Sequence, residues 1–393
     1  MNTKLIAFTL LASTAIGVAA FPSIQQATIK PQTLTQADPK HRIEVVFILD
    51  TTSSMSGLIQ AAKEKIWSIA STMASAQQNP DIKMGLVAFR DRGDAYVTQV
   101  LDLSEDLDSM YAKLMDFKAQ GGGDGPESVN QALDDAINRI SWSQDNSVYK
   151  VAFLIGDAPP HMDYKDDVKF PVTLAQAKRK SIIVNTIQSG QNSDTAPVWQ
   201  NIAQLGYGEY FQVENTGNAV AVSTPFDKKL AELAENLENT RIFFGDSDAI
   251  EEQAKKDAAG SKLRKELSEA ALARRSTFNA SSSGEANLLG RSELVDAISS
   301  GRIELNDIAE AEMPASLRAM APSEQQAFIA RQAERRDDIK QQIKKLSQSR
   351  QRFIADAMPS DAAAESLDEK IYNAVKAQAK AKGLDYTSES AEY

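Results

Sequence analysis

The 393-residue chain has no cysteine and only two histidines, His41 and His161. The first absence removes thiol nucleophiles, zinc–thiolate sites, iron–sulfur clusters and disulfides together. The second makes any serine-hydrolase triad, histidine-rich zinc site or haem pocket depend on one of two imidazoles. Positive charge is also in deficit: 43 Lys and Arg stand against 54 Asp and Glu, a formal charge of −11. An acidic molecule repels a phosphate backbone, which argues against nucleic-acid partners and in favour of divalent cations or basic ones.

Long apolar runs are missing except at the very start. Residues 5–20 are almost all apolar or small, Lys4 precedes them, and Val18-Ala19-Ala20 offers the small residues that a signal peptidase reads. A signal peptide over residues 1–20, cleaved after Ala20, is expected. The run is shorter than the ~20 residues that span a bilayer, and no cysteine follows to be acylated. The expectation is an exported bacterial protein, periplasmic or secreted, with no membrane span after cleavage. Residues 21–41, with Pro22, Pro31 and Pro39 among Gln, Thr and Ser, read as a linker.

From Ile43 the texture changes. Ile43-Glu44-Val45-Val46-Phe47-Ile48-Leu49 is the near-continuous β-branched and aromatic run of a strand buried on both faces, and it ends on Asp50. Apolar residues at helical spacing predict a helix over 56–76, and a strand follows over 82–89. Arg92-Gly93-Asp94 reads as a tight turn into an antiparallel partner at 95–101. Helices at 107–117, 128–140, 173–179 and 197–205 then alternate with strands at 150–155, 181–187 and 209–213. This alternation predicts an α/β fold: a doubly wound, Rossmann-like, mostly parallel sheet with one antiparallel edge strand. Its domain would span 42–215, an ordinary size for one core. Residues 216–393 are helical in propensity and form an all-α C-terminal extension. Within it, 323–357 carries apolar residues near 3–4 spacing with Gln332, Arg336 and Arg350 intruding, a seam that suits either a self-associating coiled coil or a helix packed on its own chain. The last residues, from Lys380, look frayed.

In an open parallel sheet, ligands bind beyond the carboxyl ends of the strands. Three loops there carry oxygen donors. Asp50-Thr51-Thr52-Ser53-Ser54 places an acid and two hydroxyls at alternate positions. Gly121-Gly122-Gly123-Asp124-Gly125-Pro126-Glu127 is a glycine-rich turn ending in acids before a helix. Gly156-Asp157-Ala158-Pro159-Pro160-His161 again ends a buried strand in an acid. Oxygen donors without an obvious His or Cys ligand are hard-cation chemistry, Mg²⁺ first, with Mn²⁺ and Ca²⁺ behind. Capping of strand-to-helix junctions by Asp, Ser and Thr is the plainer explanation, and it does not account for three loops at one edge.

Asp50-x-Thr52-x-Ser54 resembles the Asp-x-Ser-x-Ser signature of the von Willebrand factor A family, with its metal-ion-dependent adhesion site. Asp157 matches that family's later aspartate, and the second and third loops are similar to its bacterial and extracellular-matrix branch. The resemblance covers about residues 42–213 and implies that Asp50, Thr52, Ser54 and Asp157 hold a divalent cation, directly or through water. It also implies that a protein or peptide partner supplies a carboxylate to the open position. The family's second-loop threonine has no counterpart here; Asp124, favoured as the ligand, or Glu127 stands in its region, and an added carboxylate weakens the demand for an acidic partner. His161 lies near the site. The resulting expectation is a non-enzymatic, cation-dependent binding module. A hydrolase or transferase using the cation as a Lewis acid, with His161 as base, and a structural envelope protein acting through its helices are the alternatives.

Overall fold

The computed structural model describes residues 41–123, 125–213, 223–357 and 367–386. The expected signal peptide and linker lie outside the described residues except for His41, and so does Asp124.

Six strands form one sheet: β1 (Arg42–Asp50), β2 (Asp81–Phe89), β3 (Thr98–Ser104), β4 (Tyr149–Gly156), β5 (Ile182–Ser189) and β6 (Tyr207–Val213). Their order is β3-β2-β1-β4-β5-β6. All neighbours are parallel except β2 and β3, which pair antiparallel. The expected doubly wound sheet with one antiparallel edge is therefore present. The central strands have no polar face because both faces are covered. Ile43, Val45, Phe47 and Leu49 of β1 enter one core, Val46 and Ile48 the other, as the two-residue repeat of a strand requires.

The second of these faces is covered by α3 (Val129–Asn138), α4 (Phe170–Arg179) and α5 (Thr195–Leu205), through residues such as Leu133, Leu174 and Trp199. The first lies under α1 (Leu58–Ala74), which a 3₁₀ turn over Ser53–Gly57 introduces, and α2 (Leu107–Asp116).

Helices continue with α6 (Asp227–Glu238), α7 (Ser247–Glu266), α8 (Glu269–Ala280), α9 (Glu285–Leu289), α10 (Leu294–Ser299), α11 (Ala315–Arg318), α12 (Pro322–Ala357) and α13 (Leu367–Lys380). They follow the sheet in sequence as expected, yet they are not set apart from it in space. Ala259 and Leu263 of α7, Phe278 of α8, and Ile371, Tyr372 and Val375 of α13 join the same core as β1 and β4. The frayed end expected from Lys380 is corrected through Tyr386: Leu384 and Tyr386 are buried in that core, and Gln77 N donates to Asp385 O at 2.9 Å.

The seam of α12 is occupied by its own chain. Ile339 and Ile343 pack with Leu230, Leu233 and Leu237 of α6. The intruding arginines are buried ion-pair partners: Arg336 reaches Glu293 at 2.8 and 3.0 Å, and Arg350 Nε donates to Asp227 Oδ1 at 2.8 Å. Of the two arrangements open to the sequence, the helix adopts packing on its own molecule.

Candidate metal centre

Because β1 and β4 are adjacent and parallel, with Leu49 opposite Ile155, Asp50 and Asp157 emerge at the same carboxyl edge. Asp50 is only 1% exposed. Its Oδ1 accepts from Thr52 N at 2.8 Å and from Thr52 Oγ1 at 2.6 Å. Thr52 Oγ1 lies 3.2 Å from Ser54 Oγ, which donates to Asp157 Oδ1 at 3.0 Å. The four expected ligands thus form a continuous row of oxygens. Intervening Thr51 turns away, its Oγ1 donating to Phe89 O at 2.8 Å and lying 2.7 Å from Tyr96 Oη. Gly156 permits the close approach of β1 and β4 here, since a Cβ on it would lie 2.9 Å from Asp50 Cβ and 3.2 Å from the Trp199 ring.

The glycine-rich loop closes over this row. Gly121 and Gly122 have φ of +80° and +78°, which a side chain rarely tolerates. Gly121 O accepts from Ser53 N at 3.1 Å, and Asp94 Oδ2 accepts from Gly122 N at 2.9 Å and from Asp91 N at 3.2 Å. Arg92-Gly93-Asp94 therefore does more than turn the chain: its aspartate holds the second loop, a role that turn chemistry alone does not reveal. Glu127 precedes α3 and is tied to the third loop, its N donating to Pro159 O at 2.9 Å and its O accepting from His161 N at 3.0 Å. It is 3% exposed. A Cβ on Gly122 would lie 3.1 Å from Glu127 Oε1 and 3.3 Å from Thr52 Cβ, so the carboxylate and the threonine flank the same glycine.

Two buried carboxylate oxygens, Asp50 Oδ2 and Glu127 Oε2, have no hydrogen-bond partner. Burial pushes the Asp50 carboxyl up to about 7, against the lowering effect of the Thr52 hydrogen bonds. Glu127 rises to about 9, through burial first and then the charges of Asp50, Asp91, Asp94 and Asp157. Asp157 is also raised by burial. Orphaned buried acceptors are expensive, and a divalent cation would satisfy them. Among the described residues, no three acidic, histidine or cysteine side chains converge to hold a metal between them. The donor set that fits is two carboxylates and two hydroxyls, completed by water, which suits a hard cation.

His161 is buried within the third loop. It is 5% exposed, its Nδ1 lies 2.8 Å from Asp163 Oδ1 and its Nε2 3.4 Å from Asp91 Oδ2, and its ring stacks on Tyr164 at 4.0 Å. Asp91 also accepts from Ser128 Oγ and Tyr164 Oη, each at 2.8 Å. Further along the same loop, Arg92 pairs with Asp166 at 2.9 Å and with buried Asp167 at 2.5 Å. Nothing in the local sequence marks Asp91 or Tyr164 as part of this support.

Residues 44–224 match the family model described as von Willebrand factor A domain. Similar solved structures include proximal thread matrix protein 1 from the mussel byssus, at 14% identity over 45% of this chain and 42% of that one, with a TM-score of 0.36. A second form of the mussel protein, with a zinc-occupied MIDAS motif, aligns at 14% identity over 46% of this chain and 43% of its own, TM-score 0.37. The VWA domain of SpRpn10 aligns at 14% identity over 45% of this chain and 89% of its own, TM-score 0.34. The chain thus spans less than half the length of the mussel protein. No curated protein matches it. With the sheet order, the antiparallel edge and the family match in agreement, residues 44–224 are a von Willebrand factor A domain followed by a helical region.

Proposed function

We propose that the protein is an exported, non-enzymatic module that binds a protein or peptide partner through a divalent cation held at the carboxyl edge of the sheet. Mg²⁺ is the first choice, with Mn²⁺ and Ca²⁺ behind. The observation that carries this reading is Asp50: a buried carboxylate with one oxygen unpartnered, heading a row of oxygens that passes through Thr52 and Ser54 to Asp157. Asp50, Thr52, Ser54 and Asp157 would hold the ion directly or through water, and an oxygen donor from the partner would enter the open position. Binding rather than turnover is favoured because His161, the one imidazole near the site, is 5% exposed and stacked under the Tyr164 ring, and a general base must be within reach of the substrate proton it takes. The helical region, continuous with the sheet's core, serves as a platform for assembly.

The test is capture from an envelope extract with the full mature chain in Mg²⁺, in EDTA, and with Asp50→Ala. A partner retained in Mg²⁺ and lost in both other conditions is expected. A partner held equally by folded Asp50→Ala makes the cation incidental.

A further inference from the structure

Glu127 combines three properties that rarely coincide. It is almost fully buried, its Oε2 has no partner, and its backbone is fixed on both sides: N to Pro159 O, and O to both Val129 N at 2.8 Å and His161 N. The backbone that carries the carboxylate is therefore pinned between the second and third loops. Nearby cations are committed elsewhere. Arg90 donates to the carbonyls of Thr51 and Lys118, and Arg92 pairs with Asp166 and Asp167. A buried carboxylate normally has a counter-charge or a full set of donors. Among the described residues, the oxygen row lies beside it across Gly122, where a Cβ would press on both Glu127 Oε1 and Thr52.

We infer that Glu127 is the third negative charge of the cation site and that the cation's open position consequently takes a neutral oxygen from the partner, a carbonyl, amide or hydroxyl, in place of a carboxylate. This rests on the cation-binding reading above. Asp50 and Asp157 already balance a divalent ion, and Glu127, ionised beside the bound ion, leaves one negative charge in excess. The three carboxylates do not converge on one point, so Glu127 reaches the ion through water; its charge acts at that range because the site is poorly screened. An incoming carboxylate would meet like charge, whereas a neutral oxygen would not. The partner's carboxylate that the family resemblance implies is thus replaced by one already inside the protein.

Mn²⁺ and acetate are sufficient probes. With the full mature chain, calorimetry gives the Mn²⁺ affinity, and paramagnetic relaxation of the acetate methyl protons reports acetate entering the ion's shell. Wild type should bind Mn²⁺ with little acetate relaxation. Glu127→Thr and Glu127→Gln, checked for folding by circular dichroism, should each bind Mn²⁺ about tenfold or more weakly and should admit acetate. Unchanged Mn²⁺ affinity in both folded variants, or equal acetate relaxation in wild type and variants, overturns the inference. Asp50→Ala separates the two readings. Mn²⁺ binding lost there but untouched at Glu127 sinks only the role of Glu127. Absence of Mn²⁺ binding in wild type sinks both.

Discussion

Single carboxylates set the pH behaviour expected of this site. Asp50 and Glu127 sit near 7 and 9 in the fold, well above the usual carboxylate value of about 4. Between those values the folded, metal-free protein holds more protons than the unfolded chain. These groups therefore favour the fold at low pH, and that contribution is lost as pH rises through 7 and then 9. A cation bound there would reverse the sign, because it would take the deprotonated form and add stability by mass action. Thermal denaturation of metal-free protein should show Tm falling from pH 5 to pH 9, and saturating Mg²⁺ should flatten or invert that fall. A metal-free Tm that rises across the window contradicts the burial of unpaired carboxylates. At this scale Asp50, Thr52, Ser54 and Asp157 were legible, because strand ends and a two-residue repeat place them without knowledge of distant contacts. The choice between Asp124 and Glu127 was not, since the direction of the Glu127 side chain depends on Pro159 and His161, more than thirty residues away.

Among the elements, the joint between sheet and helices depends on buried ion pairs. Arg275 of α8 meets Asp108 of α2 in a bidentate pair, at 2.7 and 2.5 Å, and its Nη1 lies 2.6 Å from Glu238 Oε1 of α6. Burial works to raise the Asp108 carboxyl, and the Arg275 guanidinium overrides it and holds it below the usual range. Removing Asp108 takes away both arms of the bidentate pair and leaves the buried guanidinium with Glu238 as its remaining acidic partner among the described residues. Asp108→Ala should cost about 3–5 kcal/mol in urea denaturation. The double variant Asp108→Leu/Arg275→Met should cost less than the sum of its single changes, since no charge is then stranded between α2 and α8. Additive costs would show that the pair is not coupled. The helices that alternate with the strands were readable from apolar periodicity, and α12 is anticipated to within a residue at its start. Its partner was not, because Arg336 and Arg350 at a seam fit either another chain or buried acids on the same one.

For the molecule as a whole, the last described segment completes the first core. Ser68 Oγ donates to Asp368 Oδ1 at 2.9 Å, and Tyr149 Oη to Gln378 Oε1 at 2.8 Å, while Ile371, Tyr372, Val375 and Leu384 bury their side chains beside β1 and β4. Truncation after Ala357 would expose this face. The shortened chain should lose its cooperative urea transition and bind a hydrophobic dye; a cooperative transition of unchanged midpoint would show that the sheet domain stands without its C-terminal helix.

The amino-acid order alone was enough for the alternation of strands and helices, the antiparallel edge and the donors at two strand ends. Each of these follows from local periodicity and from the rule that parallel sheets bind ligands at their carboxyl edge. Packing decided the rest. It brought residues 367–386 back to the sheet, enclosed His161 between two acids, and left Glu127 without a partner, because burial and counter-charge are relations between residues far apart in the chain.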